Sequence, residues 1–277
     1  MKIKIISKIT TFIATFILAT TLFAQPEDAE IEEDFFGNAI SIGTNNRLIG
    51  SPRDRAPVNL TSQILEGQWV SIVNEDWLWR MRVPEKGDFM SIPYNELAAE
   101  AGQTWDESMS NSCLAYGAAG IMRQPMRFRI EWESDSIIRL ETDFGQQTRR
   151  FIFNEPVPEN TPKSLQGYSI ASWELDEPIE RGFFGVGIPE DSLQYGSLKV
   201  ETSHLTAAWL RSNGAPASDS ATITELFDVF IGPDGNEWMV ATVIVHDPIY
   251  LNVDFITSSH FRRETDLGDW DPRPCEM

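Results

Sequence analysis

Residues 127–133 read R-F-R-I-E-W-E, a strict alternation. Phe128, Ile130 and Trp132 fall on one side; Arg127, Arg129, Glu131 and Glu133 fall on the other. A period of two belongs to a strand with one buried face. Ser134 and Asp135 mark a turn, and residues 136–142 return as the antiparallel neighbour. Residues 143–147, with Gly145, turn again into a third strand at 148–153, which makes a meander. Downstream, alternating runs at 222–231 and 237–246 flank G-P-D-G-N. Glycine and aspartate there supply the backbone conformations of a tight hairpin.

Further strands are expected at 68–73, 76–82, 168–174, 197–203 and 254–263. One short helix is expected near 95–103, with Asn95 as N-cap and Gly102 close to its end. The prolines of 155–163 mark a loop, and 175–194 reads as a second, irregular one. The fold class is therefore all-β: an antiparallel meander of about ten strands with one short helix. It closes into a lipocalin-like barrel or packs as a two-sheet sandwich. Closure removes exposed sheet edges and favours the barrel. No repeat period points to a propeller or solenoid.

The first residues follow a different pattern. Lys2, Lys4 and Lys8 precede an apolar run at 9–23, and Ala24 offers a small residue before Gln25. This is the pattern of an export signal, expected to span 1–24. The run is short for a membrane span, which takes about 20 residues. Glu27, Asp28, Glu30, Glu32, Glu33 and Asp34 follow with no basic residue among them. Residues 25–64 are accordingly expected to be an acidic disordered tail and linker, and 65–277 a single β domain. Export implies a periplasmic or secreted protein, where Cys113 and Cys275 are expected to pair as a disulfide.

Composition narrows the partners. The 277 residues include 22 Lys plus Arg against 42 Asp plus Glu, a formal charge of −20. Loss of 1–24 removes three lysines and no acid, taking the charge to −23. Phosphate contacts need basic residues in excess, so nucleic acid is excluded as a partner, and docking on anionic lipid by a polybasic patch is disfavoured. No stable membrane insertion is expected after cleavage. The acidity reads as solubility outside the cytoplasm.

Four segments carry a resemblance: W-V-S-I-V-N-E-D-W-L-W-R-M-R from Trp69, C-L-A-Y-G-A-A-G-I-M-R from Cys113, G-Y-S-I-A-S-W-E from Gly167 and H-D-P-I-Y-L from His246. With the closing Pro274-Cys275, they resemble a family of uncharacterised exported bacterial all-β proteins, over about 65–275. The resemblance implies an exported domain and one continuous unit. It transfers no catalytic residue, substrate or cofactor.

Candidate chemistry comes from strand neighbours. Trp77 and Trp79 share one face of the expected strand at 76–82, and Arg80 lies on the other. A ligand-binding barrel lines its interior with aromatics and a few polar anchors, and arginine holds a carboxylate bidentately. Tyr116, Arg149 and Trp173 join them as expected ligand-binding residues. Glu131, Glu174, Glu225, Asp247 and His260 are the acid–base candidates for an alternative reading as a hydrolase or lyase working in the barrel mouth. Gly167-Tyr168-Ser169-Ile170-Ala171 approaches a nucleophile elbow, but Ser169 enters a strand rather than a strand–turn–helix. His204, His246 and His260 show no metal-ligand spacing, so no metal or other cofactor is expected. The G-F-F-G-V-G run at 182–187 reads as an apolar loop over a cavity mouth. The leading expectation is an exported barrel that binds a small, partly apolar molecule. A third reading is an envelope interaction protein.

Overall fold

In the computed structural model the described residues are 31–33, 39–41, 50–73, 84–89, 91–109, 111–175 and 195–276. The export signal, the strand expected at 76–82 and the phenylalanine loop lie outside them. The chain divides into two units, Met1–Ile49 and Gly50–Met277. In the first, Ile31–Glu33 pairs antiparallel with Ala39–Ser41, inside the stretch expected to be an unstructured tail.

In the second unit, nine strands, most of them alternating with period two, run in order: β1 Gly67–Ile72, β2 Arg127–Ser134, β3 Ile137–Thr142, β4 Thr148–Phe153, β5 Tyr168–Leu175, β6 Gly196–Ser203, β7 Thr222–Ile231, β8 Glu237–His246 and β9 Phe255–Glu264. Each strand lies beside the next, and β9 pairs with β1 to close a barrel. Between the two expected architectures, closure wins because it leaves none of the nine with a free edge.

One neighbouring pair departs from the antiparallel pattern. β4 and β5 run parallel, over Phe151↔Ser169 to Phe153↔Ala171. Nine is odd, and strands alternating up and down around a ring close only if one neighbouring pair runs the same way. A parallel pair requires the chain to cross back along the barrel. The proline-bearing residues 154–167 make that crossing. Gly167 ends it at φ +63°, where a Cβ would stand 2.3 Å from the Ser203 carbonyl oxygen. Only glycine fits so close an approach with a left-handed backbone.

The hairpin between β7 and β8 forms as its sequence predicts, with Ile231 opposite Glu237. Gly235 takes φ +77°, and the Asp234 carboxylate accepts from the Asn236 amide at 3.1 Å. The inward faces pack solid. Trp69, Phe128, Phe151, Phe227 and Phe261 are 0% exposed, so no water-sized space borders them. Phe128 and Phe261 meet edge to face at 4.8 Å between ring centroids, a favoured aromatic geometry.

Both ends of the barrel are stoppered. At the lower end, where β7 finishes, residues 50–66 run across the strand ends. Leu60 and Leu65 are fully buried there, and Trp173 Nε1 donates to the Pro52 carbonyl at 2.8 Å. Residues 50–64, expected to be linker, are thus part of the folded unit. Their turn-rich sequence lacks periodicity, and they are held by side chain to backbone bonds that no periodicity reveals. At the upper end, Ala118–Ile121, Met122, Met126 and Leu210 join the same core. Helix Glu96–Gly102 lies beside them, capped by Asn95, whose Oδ1 accepts from the Ala98 amide at 3.1 Å.

Cys113 and Cys275 form the expected disulfide. It pins the C-terminus, where Arg273–Pro274 adds a short parallel ladder to Phe144–Gly145. The Cys113 amide donates to the Glu276 carbonyl at 2.8 Å, and the Glu276 amide to Asn111 at 2.9 Å.

Candidate functional site

At the lower rim, the alternation of β7 fails. Val229-Phe230-Ile231 is an unbroken apolar run; Val229 is buried, Phe230 is 49% exposed and Ile231 is 74% exposed. Together with Tyr195, at 52%, they bound a groove of about 510 Å³ between the rim and residues Val58, Asn59 and Ile64. Small-molecule sites occupy about 300–1,000 Å³ and are mostly apolar with a few polar anchors. Asn59 fixes one wall. Its Nδ2 donates to the Gly196 carbonyl at 2.9 Å, and its Oδ1 accepts from the Gly196 amide at 3.1 Å. Asp228 stands on the outward face of β7 and accepts from Ser197 Oγ at 2.5 Å. Glu237 opens β8 and pairs with Arg263.

Inside the barrel the notable polar group is different. Arg149 on β4 reaches across to Glu225 on β7, with Nη1 to Oε1 at 2.7 Å, and both side chains are fully buried. Arg149 Nη2 also donates to Thr202 Oγ1 on β6 at 3.3 Å. Thr202 in turn lies 2.8 Å from Ser169 Oγ on β5. The cluster thus links the four strands around the parallel seam. Arginine does hold a carboxylate bidentately here, but the carboxylate belongs to the protein. Outside the seam, a cleft of about 430 Å³ separates Thr148, Arg149 and Arg150 from residues 164–169. Arg150 is spoken for by Glu133 at 2.8 Å.

The other expected site residues disperse. Glu131 lies on the outer face, exposed and paired with Arg139. Glu174 is exposed near the end of β5. Asp247 is buried, but it shapes a turn: it accepts from Ser218 Oγ at 2.7 Å, from the Ser218 amide at 2.7 Å and from the Ile249 amide at 3.0 Å. His260 projects outward from β9 between buried Ser259 and Phe261. Tyr116 packs its ring on Gly145, where a Cβ would come within 2.5 Å, and burial raises its phenol pKa. Trp173 is half-buried in a cluster with Phe153, 5.1 Å away, and Trp132. Trp77, Trp79 and Arg80 lie outside the described residues.

Ser169 continues straight into β5, with no helix after it, so the elbow geometry is not formed. His204 Nδ1 meets Ser203 Oγ at 2.9 Å and His246 Nδ1 meets Asp254 at 2.8 Å. Among the described residues no three metal-ligating side chains converge. The rim groove was missed in the sequence. Its one legible signal was the apolar run at the end of β7; Tyr195, Val58 and Ile64 reach it only through the fold.

Comparison with protein-family models, with curated proteins and with solved structures found no match.

Proposed function

We propose that this chain is an exported barrel protein that binds a small, partly apolar molecule in the lower rim groove. The groove carries the reading. It is large enough for a drug-sized ligand, its walls are mainly apolar, and Phe230, Ile231 and Tyr195 stay exposed around it. Apolar side chains gathered at one exposed spot mark an interaction site far more often than scattered ones do. The barrel interior, by contrast, is a packed core braced by the Arg149–Glu225 pair, so the binding site moves from the inside to the rim.

One feature supports a place outside the cytoplasm, and another a barrel surface in water. A disulfide closes over 162 residues, and such bonds persist in oxidising compartments. The outward strand faces carry Arg129, Glu131, Arg139, Glu141, Arg150 and Lys199, a surface suited to water rather than to lipid. Glu131 and Glu225 pair with arginines, Asp247 bonds to Ser218 and backbone amides, and Glu174 and His260 lie on outward positions, so no observation favours the hydrolase or lyase reading.

Native mass spectrometry of protein recovered from its own cell envelope tests this. The expected result is a mature chain beginning at Gln25 with a retained small molecule. Ile231→Arg, a substitution at an exposed position, should abolish retention. A clean apo mass for the wild type, or retention unchanged by Ile231→Arg, would overturn the assignment.

A further inference from the structure

We infer that the rim groove selects organic cations: molecules with an apolar body and an ammonium group. This rests on the groove being the binding site and adds the ligand's charge. The polar residues bordering it are Asn59, Asp228 and Glu237, and none of the described lining residues is basic. Asn59 is committed to the Gly196 backbone, and Glu237 is neutralised by Arg263. Asp228 differs. Its partner is the neutral Ser197 hydroxyl, and among the described residues it forms no ion pair. It therefore brings to a mainly apolar groove a carboxylate that no described cation pairs with.

Two aromatic rings complete the set. Phe230 lies two positions from Asp228 on the same outward face of β7, and Tyr195 directly precedes β6. Both rings are about half exposed and border the same groove. An ammonium group is drawn to an aromatic face as well as to a carboxylate, and it remains so where the carboxylate is hydrogen-bonded. A carboxylate or phosphate ligand would meet Asp228 with no cation among the described lining residues to balance it. The formal charge of −20 adds a long-range field that concentrates cations and repels anions.

Three probes of equal chain length separate the possibilities: octylammonium, octan-1-ol and octanoate, titrated into the full mature chain by calorimetry at low and at physiological salt. The expected order is octylammonium tightest, by about tenfold over octan-1-ol, with octanoate weakest, because a charged contact in a partly desolvated groove is worth about that factor. Asp228→Asn keeps an acceptor for Ser197 and should bring octylammonium to within about twofold of octan-1-ol, with octan-1-ol itself unchanged. Phe230→Leu keeps the apolar wall, removes the ring, and should lower only the octylammonium affinity. Equal binding of octylammonium and octan-1-ol by the wild type would overturn the charge selectivity and leave the groove as a binding site. A preference that survives both substitutions would also overturn it. Failure of all three probes to bind would overturn the groove reading itself.

Discussion

Arg149 and Glu225 show what a buried charge does when its partner is fixed. Taking both from water is costly, and their mutual attraction with the Thr202 bond offsets that cost only while both are present. Glu225→Ala should therefore destabilise the fold by about 3–5 kcal/mol, because it strands the guanidinium in the core. The double change Arg149→Met with Glu225→Leu should recover most of that loss. Chemical denaturation of the two variants decides it; a double variant as unstable as the single one would contradict the account. Tyr94 gives a pH dependence. Its hydroxyl donates to the Pro216 carbonyl at 2.5 Å, and burial holds its pKa well above the ordinary 10.0. Above pH 10.0 an unfolded tyrosine loses the proton that folded Tyr94 keeps, so stability falls as pH rises through that range and is unaffected below it. Tyr94→Phe should flatten the alkaline limb of a stability–pH profile, while losing about 1 kcal/mol at neutral pH with the hydrogen bond.

Among the elements, the strands announced themselves and their neighbours did not. β7 and β8 were legible to the residue because each alternates over most of its ten positions and a strong turn joins them. The parallel seam was not legible, since nothing local distinguishes a parallel from an antiparallel partner in a half-buried strand. The C-terminal ladder is an element made by a covalent bond. Arg273–Pro274 has two register pairs and stays docked through Cys275. Reduction, or the pair of changes Cys113→Ala and Cys275→Ala, should cost about 5 kcal/mol by the loop-entropy model for a loop of this length. Denaturation with and without reductant gives the number. Hydrogen exchange should show the amides of Arg273 and Glu276 losing protection while those of β8 keep theirs.

Across the whole molecule, charge and topology divide the work. The chain carries a formal charge of −20, while the barrel's inside is mainly apolar, with the Arg149–Glu225 pair and the Thr202 and Ser169 hydroxyls buried together. Arg149 and Glu225 were both singled out in the sequence, one as a ligand anchor and one as an acid; the fold joined them and left neither free. Glu131, Glu174, Asp247 and His260 carried the right chemistry at positions the barrel sends outward or into a turn. By itself the sequence determined the class of fold, the boundaries of most strands, the helix cap, the hairpin turn and the only two cysteines able to pair. All of these follow from period, turn chemistry or count, which act over a few residues or need no geometry. Only the tertiary structure decided that nine strands close, that one seam runs parallel, that 50–66 stoppers the lower end, and that the groove lies on the rim. Those depend on which residues far apart in the chain come to share a surface, and no local pattern records that.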